Sequence, residues 1–455
     1  MSTAERLRSI FHLGYPIYLE LLSNIISGFV DAIWVAGLGR SAVAGVTLAT
    51  NLENVAYGLI LAVSTGLTVL LAKQVDPPDV RAAGRSIRSG TALGIGLSIA
   101  VGALGFFLRR QLAGLFGAGS GSEAIAVAAS FLAVALGGIG ALYGQNLVNA
   151  LFKAQGDTRT PMAMAILANL LNLILAPLLV YGLAGLPELG ATGSAWALVI
   201  SRTAALLCSL ALASRSPLVR AVRADRALAA DWVTAKAILR LGWPTAGEFL
   251  VRMAGNMAMV SFVAGFGATA LAGYGIGYKI LLFVTMAFYA LRQANTIYTA
   301  RQVADLGRGD LPLIGRVALG SGLAVALIAV AILGSGAPWL VSIFGSDAAV
   351  LDAAVSYIHY MCLYLLPLGC LISLTGVFIG AGRSEGMFHI TLLGVLVQVV
   401  GAIWLQRVAG LAGVWWAMIL SNCLQVMLLV ILYRSRLLLG PEGRSPLTRP
   451  GGSEG

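Results

Sequence analysis

Glu20, Asn24, Ser27 and Asp31 share an otherwise apolar stretch, Leu13 to Gly45, the last three lying 4, 7 and 11 residues beyond Glu20. At about 100° per residue they fall on one narrow stripe of a helix. A carboxylate in hydrocarbon is costly unless it faces a protein interior or water. The stripe therefore reads as the lining of a cavity. Glu53 adds a second acidic position at membrane depth, with Asn51, Asn54 and Tyr57 near it in sequence. It reads either as a second carboxylate partnering those on the stripe, as a cleft residue facing a cationic substrate, or as a hydrogen-bonded Glu at a helix end.

The second half of the chain carries a different set. Glu248 and Arg252 are four apart, a helical spacing that permits an ion pair, and the expectation is that they form one. Lys279, Arg292 and Gln293 occupy a later apolar run. Cations there repel a cationic compound and welcome an anionic group unless Glu53 or Glu248 neutralises them. His359 stands alone; it reads as a proton carrier or, more plainly, as a core histidine. Hydrolytic and nucleotide chemistry have no foothold. There is no GxxxxGK[ST] run and no nucleophile–base or paired-carboxylate arrangement, so an enzyme is not expected. Cys208, Cys362, Cys370 and Cys423 lie in apolar segments without paired spacing and read as small core residues.

These residues must be positioned by membrane-spanning helices. Of the 455 residues, 58% are hydrophobic and only 11% charged, with a mean hydropathy of +0.89. The stretch from Leu13 returns 228 residues later as Leu241 to Gly273, with identities that include Pro16/Pro244, Glu20/Glu248, Gly37/Gly265 and Gly45/Gly273. Asp31, by contrast, is answered by Met259. Apolar runs predict twelve spans, at 12–36, 42–72, 89–108, 123–151, 161–184 and 190–213, then 243–266, 270–300, 315–335, 351–380, 387–406 and 411–433. The predicted fold is an all-α integral membrane protein of two six-helix bundles related as parallel repeats. Its divisions are an N-terminal lobe at 1–213, a cytoplasmic linker at 214–240, a C-terminal lobe at 241–435 and a disordered Pro-, Gly- and Ser-rich tail at 436–455. A cleavable leader competes for the first run, but Pro16, Glu20 and Asp31 interrupt it.

The net charge of +11 is a topology signal rather than a nucleic-acid footprint. Of 30 basic residues, 22 fall on one side of the predicted spans, whereas the opposite loops hold only Arg40, Arg109, Arg110 and Arg407. The positive-inside rule then places both termini in the cytoplasm, in a multi-pass protein of the inner membrane. Between the fourth and fifth helix, the run Gly156 to Met162, GDTRTPM, combines a glycine turn, a cap at Asp157 or Thr158, and Pro161 in a first helical turn.

Several features together resemble one family. They are Pro16 with Asp31 fifteen positions on, Val35-Ala36-Gly37-Leu38-Gly39, the run GDTRTPMAMAILANLLNLILAPLLVYG, Gly190-Ala-Thr-Gly-Ser-Ala-Trp-Ala, and Gly242-Trp-Pro. In order and spacing the chain is similar to prokaryotic multidrug and toxic-compound extrusion (MATE) transporters. The resemblance implies two lobes around a central cleft, alternating access, and export of amphipathic, often cationic, compounds by a monomer drawing on a proton or sodium gradient, with no cofactor. It makes Asp31 and Asn172 cation-site residues, with Asn169 one turn before Asn172; the alternative for Asp31 is a structural carboxylate satisfied by its neighbours. Two departures stand out. Some relatives carry a second Asp where this chain has Ala176, and several carry a Glu where it has Arg252. A flippase for a lipid-linked or phosphate-bearing amphiphile is the alternative within the superfamily. A membrane-embedded enzyme or an uncoupled channel is the alternative outside it.

Overall fold

Long apolar runs punctuated by short Gly- and Asp-containing turns become thirteen α-helices in the computed structural model, which describes residues 3–75, 79–117, 121–224, 229–306, 311–345 and 347–434. The expected tail at 436–455 lies outside the described residues. In chain order the helices are α1 Thr3–Ala36, α2 Arg40–Ala72, α3 Val80–Phe116, α4 Ser122–Gly137, α5 Ile139–Ala154, α6 Arg159–Val180, α7 Ala191–Arg215, α8 Pro217–Ala224, α9 Trp232–Ala264, α10 Ala268–Leu306, α11 Leu311–Ser342, α12 Ala348–Gly380 and α13 Glu385–Leu432. Asp side chains start several of them by accepting orphan N–H groups. Asp79 accepts from Ala82 (2.9 Å), Asp231 from Val233 (3.1 Å) and Thr234 (3.2 Å), and Asp347 from Ala349 (3.0 Å). In GDTRTPM it is Asp157 that caps, holding the Arg159 and Thr160 N–H groups at 3.0 Å each.

The twelve expected spans are recovered with two differences in continuity. α4 and α5 form one span bent by 46° at Gly138, where Val199 packs into the space a side chain would take. α13 contains two spans, because Gly410 (φ 57°, ψ −138°) reverses the chain direction within it. Gly190, which opens α7, has nearly the same backbone (φ 55°, ψ −137°), a conformation that residues with a Cβ avoid. The duplication is thus written in the backbone as well as in the residues. The linker region holds the short α8. α9 begins at Trp232, so the seventh span starts well before the expected residue 243.

The closest backbone contacts joining the two lobes lie toward the end that carries the N-terminus; farther along α1, Phe29 meets Phe283 of α10 with ring centroids 6.1 Å apart. One seam pairs α2 with α9. There Gly66 lies against the Ile238 carbonyl, and Gly242 against that of Ala62, so closely that an added Cβ would collide with backbone. The other seam pairs α1 with α10, where Ile10, Leu13 and Ile17 share a core with Ala290, Ala294 and Ile297. The seal is repeated twofold at the helix ends. Lys73 of the first lobe reaches the Gly382 turn of the second, and its repeat counterpart Arg301 reaches Gly156 of the first. Toward the opposite end Asn24, Gly28, Ala32 and Ile33 of α1 are exposed, as are Asn256, Met257 and Val260 of α9.

Candidate functional site

Three polar clusters are built into the apolar bundles. The first sits in the N-terminal lobe, away from the seal. Asn172 of α6 donates through Nδ2 to both Asp31 oxygens at 2.8 Å, and also approaches Ser27 Oγ at 3.4 Å. One turn earlier Asn169 donates to Ser23 Oγ (2.8 Å) and Asn24 Oδ1 (3.0 Å). From Asn24 to Asp31 the expected stripe on α1 therefore faces α6, and the structure brings Asp31, Asn172, Asn169 and Asn24 together. Asn172 Oδ1 is buried with no hydrogen-bond partner. Glu53 lies near enough for its charge to act on Asp31, but its own carboxylate is engaged by Arg202 of α7.

The second cluster lies in the seal. Lys153, in the last turn of α5, places Nζ 3.0 Å from each oxygen of Glu20 and 3.0 Å from Gln293 Oε1 of α10. Glu20 and Gln293, expected to line the cleft, are here parts of an inter-lobe tie. Tyr57 is close by and meets Phe249 of the other lobe edge-on, with ring centroids 5.8 Å apart.

The third cluster is inside the C-terminal lobe. Glu248 and Arg252 do meet, Nε to Oε1 at 3.1 Å. The pair is incomplete as a description, because Arg292 of α10 grips the same carboxylate from the other side. Its Nη1 lies 3.1 Å from Oε1 and its Nη2 2.8 Å from Oε2. Lys279 stays exposed, with Nζ 5.7 Å from the Phe29 ring centroid, in cation–π reach across the lobes. His359 is exposed on α12, and none of the hydrogen bonds, ion pairs or ring contacts described here joins it to the other candidates.

Two residues that matter here had no assigned role. They are Lys153 and Arg202, neither of which its sequence position singles out as a partner for a carboxylate. The latent signal was Arg202 itself, since a cation in an apolar span requires a partner or water. Among the described residues no three His, Cys, Asp or Glu side chains converge as metal ligands would.

Residues 16–178 and 244–404, one stretch from each lobe, match the MatE family model. The chain belongs to the MATE family. It is therefore a membrane transporter, not an enzyme. Among curated relatives it is 26% identical over 307 residues to the probable multidrug resistance protein YpnP of Bacillus subtilis, an alignment spanning 67% of this chain and 66% of that one. It is 22% identical over 446 residues to the probable multidrug resistance protein NorM of Photorhabdus laumondii, covering 96% and 97% of the two chains. A solved MOP superfamily transporter from Pyrococcus furiosus, described as having a binding pocket of reverse polarity, superposes with a TM-score of 0.87 at 20% identity, covering 96% of this chain and 97% of that one. An outward-facing multidrug resistance MATE transporter superposes at 0.85 and 20% identity, covering 96% and 98%. At that identity the likeness establishes the shared fold.

Proposed function

We propose that this MATE protein exports amphipathic compounds across the inner membrane by alternating access, and that protonation of Asp31 couples export to the ion gradient. One observation carries the reading. Among the described ion pairs each other carboxylate buried in the bundles has a basic partner: Glu20 has Lys153, Glu53 has Arg202, and Glu248 has two arginines. Asp31 is held by an amide instead. Asn172 can serve both states of the carboxyl. Its Nδ2 donates to the ionised form, and a half-turn of the amide presents its Oδ1, which has no partner now, as an acceptor to the protonated one. A sodium ion asks for several oxygen ligands and finds one carboxylate here, with Ala176 where a second would stand, so a proton fits better. With the basic end in the cytoplasm, the sealed end faces inward and the exposed end of α1 and α9 faces outward.

The test uses the purified protein in vesicles with an imposed proton or sodium gradient and a panel of dyes. Asp31→Asn is expected to bind dye as the unaltered protein does and to lose gradient-driven efflux. Undiminished efflux by Asp31→Asn removes the coupling role from this residue, with Glu53 next in line.

A further inference from the structure

The two lobes are copies in fold and opposites in charge. In the first lobe Lys153 and Arg202 neutralise Glu20 and Glu53, leaving Asp31 as one carboxylate in excess. In the second, Glu248 faces two arginines, leaving one guanidinium in excess. The reversal comes from the carboxylates: Asp31 is answered 228 residues on by Met259 and Glu53 by Leu281, whereas the cations keep their number and change places. Asn24 is answered 228 residues on by Arg252, and Arg202, counted from the Gly190/Gly410 break, is answered by Asn422.

The excess resides on Arg252. Glu248 is 1% exposed and already accepts three guanidinium N–H bonds, so it has little left to offer. Arg252 spends only Nε on it, and its Nη2 is buried with no hydrogen-bond partner. Neutral groups lie near Arg252: Tyr289 of α10 and Tyr364 of α12 are within its electrostatic reach, Tyr278 is within reach of both, and Asn422 of α13 lies beside Tyr364 with its own Oδ1 buried and unpartnered. The Arg252 side chain keeps 16% of its exposure, so the edge can be approached. A buried guanidinium edge among phenols and an amide lacks one negative charge and a pair of acceptor oxygens. A carboxylate supplies both, since its two oxygens match the parallel N–H bonds of a guanidinium and the phenols can donate to its remaining lone pairs.

We propose that Arg252, with Tyr289, Tyr364 and Asn422, forms a binding site for a singly charged carboxylate in the C-terminal lobe. The ring faces of Tyr278, Tyr289 and Tyr364 suit an apolar chain attached to that carboxylate. The site stands whether or not Asp31 couples transport, because its occupancy is a matter of binding alone.

The experiment is titration calorimetry on the full-length protein in nonionic detergent, at constant ionic strength, with sodium octanoate, sodium acetate, sodium chloride and octylammonium chloride as probes. Octanoate is expected to bind the unaltered protein at one site. Arg252→Met should weaken that binding by about tenfold or more, the worth of a charge-assisted hydrogen bond, while Arg252→Lys keeps part of it. Asn422→Asp places an internal carboxylate beside Tyr364. It should abolish octanoate binding in a protein that still folds, which tests the site even if Arg252→Met is lost to misfolding. Binding of octanoate without acetate supports the site and assigns it to the head of an amphiphile; equal binding of both supports it as a site for free carboxylates. Chloride or octylammonium binding as well as octanoate, or octanoate binding unchanged by both Arg252→Met and Asn422→Asp, overturns the proposal.

Discussion

Removing the three charged members of the C-terminal cluster one at a time should give three different outcomes, and the order follows from the geometry. Glu248→Gln leaves two guanidinium groups facing each other in the bundle with one amide oxygen where a carboxylate accepted three N–H bonds. Stripping a buried pair of one member costs about 3–5 kcal/mol. Arg292→Met removes two of the three bonds but leaves a neutral Glu248–Arg252 pair, for about 2–3 kcal/mol, the scale of hydrogen bonds to charged groups. Arg252→Met removes one bond, keeps the two-pronged Arg292 grip, and also removes the buried unpartnered Nη2, so it should fall within about 1 kcal/mol of the unaltered protein. Spacing alone pairs Glu248 with Arg252 and leaves open whether Glu248 also neutralises Arg292, so it does not rank the three losses. The assay is the thermal midpoint of each purified variant in one detergent, read by surviving monodisperse protein after heating. Equal midpoints for Glu248→Gln and Arg252→Met would show that Arg292 does not share the carboxylate, and the charge argument would fail with it.

The inter-lobe tie and the seam give two further expectations. Lys153→Met strands the buried Glu20 and frees Gln293, so a cysteine at Ala294 in a cysteine-free background should react about tenfold or more faster with a membrane-impermeant thiol reagent added from the N-terminal side; unchanged protection rules out the tie as a closure. Gly66→Ala and Gly242→Ala push a Cβ into the Ile238 and Ala62 carbonyls and should part the lobes at the α2–α9 seam, speeding the labelling of the Ala294 cysteine on the neighbouring α1–α10 seam, whereas Gly96→Ala, with nothing near its Cβ, should not. Equal labelling of all three would mean that the two carbonyl approaches do not hold the lobes together.

The sequence by itself determined the framework. Apolar runs of bilayer length, the 228-residue repeat and the glycines at 190 and 410 are local properties, and each acts through the backbone or the hydrophobic effect without needing a distant partner. Helical periodicity likewise placed Glu20, Asn24, Ser27 and Asp31 on one stripe, and proximity in sequence was enough to bring Glu248 to Arg252. Periodicity stops at the helix surface, however. It says which face a carboxylate occupies and nothing of which helix lies opposite. That is why Glu20, on the same stripe as Asp31, turned out to meet Lys153 of α5, 133 residues away, at the closed seam. Arg202 reached Glu53 across 149 residues, and Arg292 joined Glu248 across 44. The net charge of each lobe's interior depends on these long-range pairings, since a buried ion is neutralised only by what packs within a few ångströms of it. Only the tertiary structure could leave Asp31 with an amide for company and Arg252 with an unfilled edge.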